Sequence, residues 1–326
     1  MRVCVVGAGA IGGLIGARLS AAGEDVSVLA RGDHLASIRR DGLRLVEPDG
    51  TEAAPQNVAA SSVLADFDQQ DVVVLALKTH QIAAIASELQ SLFDDHTCVV
   101  PLQNGIPWWF FLRFPGDHEG RRLRSLDPDG TLERAIPAER LVPSIAYPAA
   151  IRIAPGVIRL VEGDRFPVGE LDGSRSDRVR RIADLLSGAG FRSRVLTDIR
   201  SHLWVKAWGN LAFNPISALT GATLAEICRD PLTRSLASAM MLEATDIAEA
   251  LGVRTRLSVE QRIKGAAAVG DHKTSMLQDV EAGRELEIGP LVTAFVELGE
   301  LTVTPTPTID VVNALVSQLN ARLTAP

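Results

Sequence analysis

The chain has 326 residues, 46% hydrophobic and 22% charged, enough apolar material for two ordinary domain cores. A net charge of −7 without a basic tract excludes a nucleic-acid partner, and no uninterrupted apolar run is long enough to span a bilayer. Three unpatterned cysteines and six scattered histidines argue against a disulfide framework or a metal site, and the apolar N terminus lacks a cleavage pattern, so a reducing cytoplasm is expected.

Arg2–Val6 reads as a buried strand, followed at once by Gly7-Ala-Gly-Ala-Ile-Gly12 and a small-residue helix, Gly13–Ala22, ending at Gly23. This is G-x-G-x-x-G with a strand before it and a helix after it, the setting in which the pattern binds a dinucleotide. Gly7 permits the tight turn, Gly9 lets the backbone approach a pyrophosphate, and Gly12 allows close helix–strand packing. Ala10 and Ile11 lie within this turn, and the helix N terminus after it presents free N–H groups and a partial positive charge to the phosphates. The competing readings are a membrane pairing face from Gly12-x-x-x-Gly16 or a glycine turn without a ligand.

The second strand, Asp25–Ala30, is expected to choose the dinucleotide. An NAD site ends this strand with an acid on the ribose hydroxyl, but here Arg31-Gly32 follows, with Asp33 beyond as a rival. Arg31 suits a 2′-phosphate, so NADP(H) is the expected cofactor. Asp71–Leu77 and Thr97–Leu102 are further buried strands, delivering Lys78 and Asn104 to the ligand-binding edge of a parallel sheet. For these two the plainer readings are a solvated loop lysine and an Asn-Gly turn. Trp108-Trp-Phe-Phe111 could wall a pocket, form a subunit contact or pack a core, and Gly116–Gly130 reads as a surface excursion. Leu141–Tyr147, Val157–Glu162, Arg165–Gly169 and Arg192–Val195 read as strands, with a helix at Asp177–Ser187.

From Thr197-Asp198 the chain turns helical. Leu203–Asn214 is almost wholly apolar, interrupted only by Lys206, Asn210 and Asn214, which share one helix face at i, i+4 and i+8. Only four of the 33 basic residues are lysine. A lysine kept inside the most apolar helix suits proton transfer, which arginine cannot perform near neutral pH; equally, it can snorkel its head to water. Leu232–Leu251 is a long helix, Ser275 opens another expected to run through Glu287 to Gly289-Pro290, and Ile309–Leu323 is the last. By position alone, Glu287 reads as a helix-end carboxylate paired with Arg284.

In order and spacing, Gly7–Gly12, Leu77-Lys78, Leu102-Gln-Asn-Gly105, Trp204-x-Lys206-x3-Asn210-x3-Asn214 and Thr274-Ser-Met-Leu-Gln-Asp279 with Glu287 resemble the ketopantoate reductases (2-dehydropantoate 2-reductases) over nearly the whole chain. The resemblance implies an α/β N-terminal Rossmann-type doubly wound sheet over residues 1–197, an all-α C-terminal domain over 198–326, and a cleft between them. It implies NADPH-dependent reduction of 2-dehydropantoate to (R)-pantoate, toward pantothenate, by a cytoplasmic monomer or homodimer. It makes Lys206 the acid that protonates the forming alkoxide and has Glu287 bind the substrate hydroxyl and position the lysine. Asn210, Asn214 and Ser275 would bind substrate, Asn104 would lie near the nicotinamide and the lysine, and Lys78 and Arg31 near the 2′-phosphate. His272, where the family is expected to carry a small polar substrate contact, and the aromatic run at 107–111 are departures that bear on the substrate. The alternatives are the same chemistry on another 2-oxo acid or hydroxyketone, and an NADP(H)-binding regulator without turnover.

Overall fold

The computed structural model describes residues 1–255 and 257–325. They form two compact units: Met1–Gln103, Phe111–Arg121 and Gly130–Ile199 in the first, and Asn104–Phe110, Arg122–Asp129 and Arg200–Pro326 in the second. Asn104 and most of the aromatic run thus belong with the C-terminal helices.

In the first unit, β1 (Arg2–Val6), β2 (Asp25–Leu29), β4 (Ala59–Ser61), β5 (Val72–Leu75) and β6 (Cys98–Pro101) form one parallel sheet in the order β4-β2-β1-β5-β6. This is the Rossmann order, with the chain reversing direction beside β1, where such sheets bind ligands. The strands are apolar throughout because both faces are covered: Val3–Val6 and Val72, Val73 and Leu75 are fully buried. Helix α1 (Ala10–Ala21) lies between this sheet and a second one, in which β3 (Arg44–Val46) pairs with β8 (Val157–Glu162) and β8 with β7 (Ala149–Ala154). Its small residues make that double packing possible. A Cβ at Gly12 would fall 2.0 Å from the Gly7 carbonyl oxygen, and one at Gly13 2.7 Å from Ile158. Helices α2 (Gly32–Asp41), α3 (Thr79–Ala83), α4 (Thr131–Ala135) and α5 (Asp177–Gly188) and the short pair β9 (Val168–Gly169) and β10 (Val195–Leu196) complete the unit.

The second unit is helical: α6 (Ile199–Thr220), α7 (Leu224–Arg229), α8 (Pro231–Ala250), α9 (Val259–Val269), α10 (Ser275–Glu281), α11 (Ala294–Thr302) and α12 (Pro307–Leu323). Its core is aromatic. Trp204 stacks edge-on against Phe295 at 5.3 Å and lies 5.8 Å from Phe110, while Trp208 Nε1 donates to the Met241 carbonyl at 2.6 Å. Trp108, Trp109 and Phe110 are therefore core, fully or almost fully buried, and Phe111 is buried in the first unit. Side chains cap the helices where the sequence places them. Asp230 accepts the first N–H groups of α8, and Thr223 and Ser258 open α7 and α9 with capping boxes. Among the described residues, no helix is long and apolar enough to cross a membrane.

Several expected elements differ. Leu141–Tyr147 makes only isolated bridges, at Leu141 and Ser144, and Arg165–Gly169 shortens to two residues, because Pro143, Pro148 and Pro167 have no N–H to continue a ladder. The strand expected at Arg192–Val195 is Val195–Leu196, with Arg192 in a single bridge to Arg165. The helix from Ser275 stops at Glu281 rather than running past Glu287. The N–H of Gly283, at φ +61°, donates to the Val280 carbonyl and that of Arg284 to the Asp279 carbonyl, the pair of hydrogen bonds that closes a helix C terminus. Thr274, not Ser275, is its N-cap. Gly289-Pro290 does not end a helix but begins a π-helical turn, Gly289–Thr293, that leads into α11; at a helix start the missing proline N–H costs nothing. The excursion at 116–130 is exposed at its start, but Leu123 and Leu126 are buried and Glu297 accepts the N–H groups of Arg124 and Ser125.

Gly12→Ala should destabilise the protein by about 1–3 kcal/mol, the usual cost of overpacking, because its Cβ meets backbone. Gly9, with open space above it and an ordinary negative φ, should accept alanine with little change in stability. Urea unfolding of the two variants checks this; equal losses would mean that the close packing at Gly12 is unimportant.

Candidate active site

In the first unit, β1 delivers Gly7 at φ +106°, beside Leu77 two residues beyond β5, and α1 begins three residues later with no side chain capping its N terminus. A cleft of about 420 Å³ opens over Gly7–Gly9. Nothing lies within 4 Å of where a Cβ on Gly9 would stand, which leaves room for a ligand beside the turn. Arg31, exposed at the N-cap of α2, lines the same cleft, as do His80 and Arg152, whereas Asp33 does not. Lys78 caps α3 next to Leu77, its backbone N–H donating to Gln81 Oε1. These groups suit a dinucleotide: a glycine cradle for its pyrophosphate and guanidinium groups for a phosphate.

His34 also faces this cleft, and its buried ring joins two loops. Its Nδ1 accepts the Gly156 N–H at 2.8 Å, so Nε2 carries the proton it gives to the Ala8 carbonyl at 2.6 Å. Burial, the larger cause, and the charge of Arg152 hold His34 below the ordinary histidine pKa. The neutral ring thereby ties the glycine turn to the β7–β8 hairpin that carries Arg152. Sequence reading passed over both residues: His34 has no ligand spacing, and Arg152 sits on a strand whose pairing partners are remote in sequence.

In the second unit, the apolar body of α6 is fixed by Trp204 and Trp208, which turns Lys206, Asn210 and Asn214 to one side. Lys206 Nζ donates to Asn104 Oδ1 at 2.6 Å. Although the side chain is only half-buried, protein surrounds its ammonium; this desolvation pushes its pKa down from 10.5 to about 8, against the opposing pull of the Glu287 carboxylate. Glu287 reaches this position from the irregular stretch that follows α10, immediately before helical Ile288, and Arg284 pairs with Asp279 at 2.8 Å. The loops that bring in Asn104 and Glu287 are joined: Ile106 N–H donates to the Pro290 carbonyl at 2.9 Å, and a Cβ on Gly105 (φ +79°) would lie 2.2 Å from that oxygen. Asn210 is half-buried and Asn214 buried, while Ser275 is exposed at the start of α10 with His272 half-buried before it. The structure thus gathers Lys206, Asn104 and Glu287 around one ammonium, with Asn210 and Asn214 on the following turns.

The lowered pKa makes this site a pH-dependent term in stability. Between about 8 and 10.5 the unfolded chain keeps the Lys206 proton while the folded chain releases it, so stability from this group rises with pH across that window. Urea unfolding over this range should show a shallower rise for Lys206→Met than for the unsubstituted protein. Parallel curves would assign the slope to other groups.

Residues 3–173 match the family model "Ketopantoate reductase PanE/ApbA", and residues 198–320 its C-terminal counterpart. A protein of Mesorhizobium japonicum named 2-dehydropantoate 2-reductase is 52% identical over 98% of both chains. Among solved structures, a protein of Ralstonia solanacearum MolK2, provisionally assigned as a ketopantoate reductase, superposes with a TM-score of 0.92 at 40% identity, covering 98% of both chains. The 2-dehydropantoate 2-reductase of Geobacter metallireducens GS-15 superposes with a TM-score of 0.85 at 26% identity, covering 98% of this chain and 99% of that one. The chain belongs to the ketopantoate reductase family, and it is an oxidoreductase acting between CH–OH and C=O with a pyridine nucleotide.

Proposed function

We propose that this protein reduces 2-dehydropantoate to (R)-pantoate with NADPH, a step toward pantothenate. The observation that carries the reading is the crowded ammonium of Lys206, hydrogen-bonded to Asn104 and with its pKa near neutrality. Bound NADPH supplies the hydride. As the ketone oxygen gains charge, the Lys206 ammonium stabilises it and then gives up a proton, and the neutral amine recovers a proton from solvent. A pKa of about 8 keeps the acid form dominant at neutral pH while making its proton easier to give than that of an ordinary lysine. Glu287 binds the substrate hydroxyl and favours the charged lysine. Asn210, Asn214, Ser275 and His272 contact the substrate, with Asn104 beside both lysine and nicotinamide. Gly7, Gly9, Ala10, Ile11 and Gly12 hold the pyrophosphate, and Arg31 and Lys78 the 2′-phosphate. The three cysteines are buried free thiols, which suits work in a reducing cytoplasm.

His272 ahead of Ser275 keeps a second reading in play, in which the same chemistry acts on another 2-oxo acid. NADPH oxidation with a panel of 2-oxo acids decides between them: turnover with ketopantoate supports the first, turnover only with others the second, and turnover with none refutes both. Lys206→Ala should lower kcat by roughly a hundredfold to ten-thousandfold, the range for general acids, without changing nucleotide affinity. Because protonated Lys206 is the active form, kcat should fall as pH rises through about 8. Glu287→Gln should move that fall to lower pH, since it removes the charge that holds the lysine pKa up. For the cofactor, Arg31→Ala should weaken NADPH by roughly tenfold to a hundredfold, the worth of a charge-assisted contact, and leave NADH nearly unaffected. Equal losses for both nucleotides would refute the 2′-phosphate assignment.

A further inference from the structure

The cleft over the glycine turn is lined by Arg31 and Arg152 and by no carboxylate. Among the described residues, neither guanidinium has a hydrogen-bond or ion-pair partner. Uncompensated charges of one sign lining a cleft focus its field and draw in the opposite charge. The two arginines come from distant parts of the first unit, Arg31 from the N-cap of α2 and Arg152 from β7. The direction of Arg152 follows from register. It pairs with Ile158 of β8, and opposite residues of an antiparallel pair send their side chains to the same face. Ile158 packs against the first turn of α1, its Cγ1 2.7 Å from where a Cβ on Gly13 would stand, so Arg152 leaves the sheet on that side. Its charge also reaches His34 in the first turn of α2, adding to the effect of burial in keeping that ring neutral. His34 accepts the Gly156 N–H, and Ser37 Oγ donates to the Pro155 carbonyl at 2.9 Å, so α2 is bonded twice to the turn of the β7–β8 hairpin. The helix that carries Arg31 and the hairpin that carries Arg152 are thus held in a fixed relation around one cleft.

We propose that Arg152 forms a guanidinium pair with Arg31 that binds the 2′-phosphate of NADPH, making Arg152 a determinant of the preference for that nucleotide. The assignment rests on the NADPH reading above. A phosphate monoester is close to a dianion at neutral pH, and its three free oxygens can accept from two guanidinium forks at once. Each phosphate of the pyrophosphate carries a single charge, and it has the glycine turn and the α1 N terminus for donors. A second permanent charge beside Arg31 therefore matches the group that NADPH has and NADH lacks.

Nucleotide affinity, measured by calorimetric titration without substrate, tests this with NADPH, NADH, adenosine 2′,5′-bisphosphate and adenosine 5′-phosphate. Arg152→Ala should weaken NADPH and the bisphosphate by roughly tenfold to a hundredfold, the range for hydrogen bonds to a charged group. NADH and the monophosphate should bind nearly as before. Arg152→Lys, which keeps the charge but loses the fork, should fall between the alanine variant and the unsubstituted protein. Because Arg152 is exposed, both variants should keep the urea midpoint of the unsubstituted protein. Equal losses for NADPH and NADH, as a pyrophosphate contact or a disturbed fold would give, would overturn the assignment. Unchanged NADPH affinity in Arg152→Ala would do the same, and either result leaves the reductase reading standing. An unsubstituted protein that binds NADH as tightly as NADPH would overturn the NADPH reading and this assignment together.

Discussion

The hydrogen bond from Lys206 Nζ to Asn104 Oδ1 holds the ammonium on which the proposed reduction depends. Desolvating an ammonium favours its neutral form, so an apolar helix alone would deliver an amine with no proton to give. A carboxylate in place of Asn104 would overcorrect, raising the pKa and holding the proton. Desolvation, opposed by the Glu287 carboxylate, puts the pKa at about 8, between these extremes. The arrangement also needs Asn104 to arrive at a fixed place, and that is a backbone matter. Gly105 adopts a left-handed conformation against Pro290, whose carbonyl takes the Ile106 N–H, so the stretch carrying Glu287 and the loop carrying Asn104 support each other.

Elements whose cause is local were readable in the sequence. The strand β1, its glycine turn and α1 announce themselves because tight backbone approach can be made only by residues without a side chain, and β5 and β6 because both faces of a parallel strand are buried. The polar stripe of α6 was readable because helical spacing alone puts Lys206, Asn210 and Asn214 on one face. The β3-β8-β7 sheet was not, since β3 lies more than a hundred residues from its partner and nothing in its three residues names that partner. The early end of α10 turned on Gly283, an unremarked glycine that supplies a left-handed C-cap. Asn104 looked like part of the sheet's ligand edge, yet it belongs to the helical unit, because its contacts through Gly105 and Ile106 run to Pro290 and not back to the strand.

Binding a dinucleotide asks for order in the glycine turn before any ligand arrives, and His34 contributes to that order. Accepting from Gly156 and donating to Ala8 requires a single neutral tautomer. A protonated ring would carry a hydrogen on each nitrogen and set one against the Gly156 N–H. Burial and the Arg152 charge both oppose that protonation, so the contact that shapes the turn is insulated from pH changes near neutrality. The permanent guanidinium charges at Arg31 and Arg152 are then free to serve an anion without disturbing the turn beneath them.

Arginine and lysine suit different charges in the proposed reaction. Reduction of a 2-oxo acid leaves the carboxylate charge unaltered from substrate to product, as it leaves the phosphate charges of the nucleotide. A group that faces such anions does best with a charge that never changes, which is what the guanidinium of Arg31 offers in the proposed reaction. The ketone oxygen is different: it is neutral in the substrate, negative in transit and neutral again as a hydroxyl. Only a cation that can lose its charge in step with that oxygen avoids leaving an ammonium–alkoxide pair at the end. Lysine can do so, and only when its surroundings bring its pKa toward neutrality, as the crowded face of α6 does for Lys206.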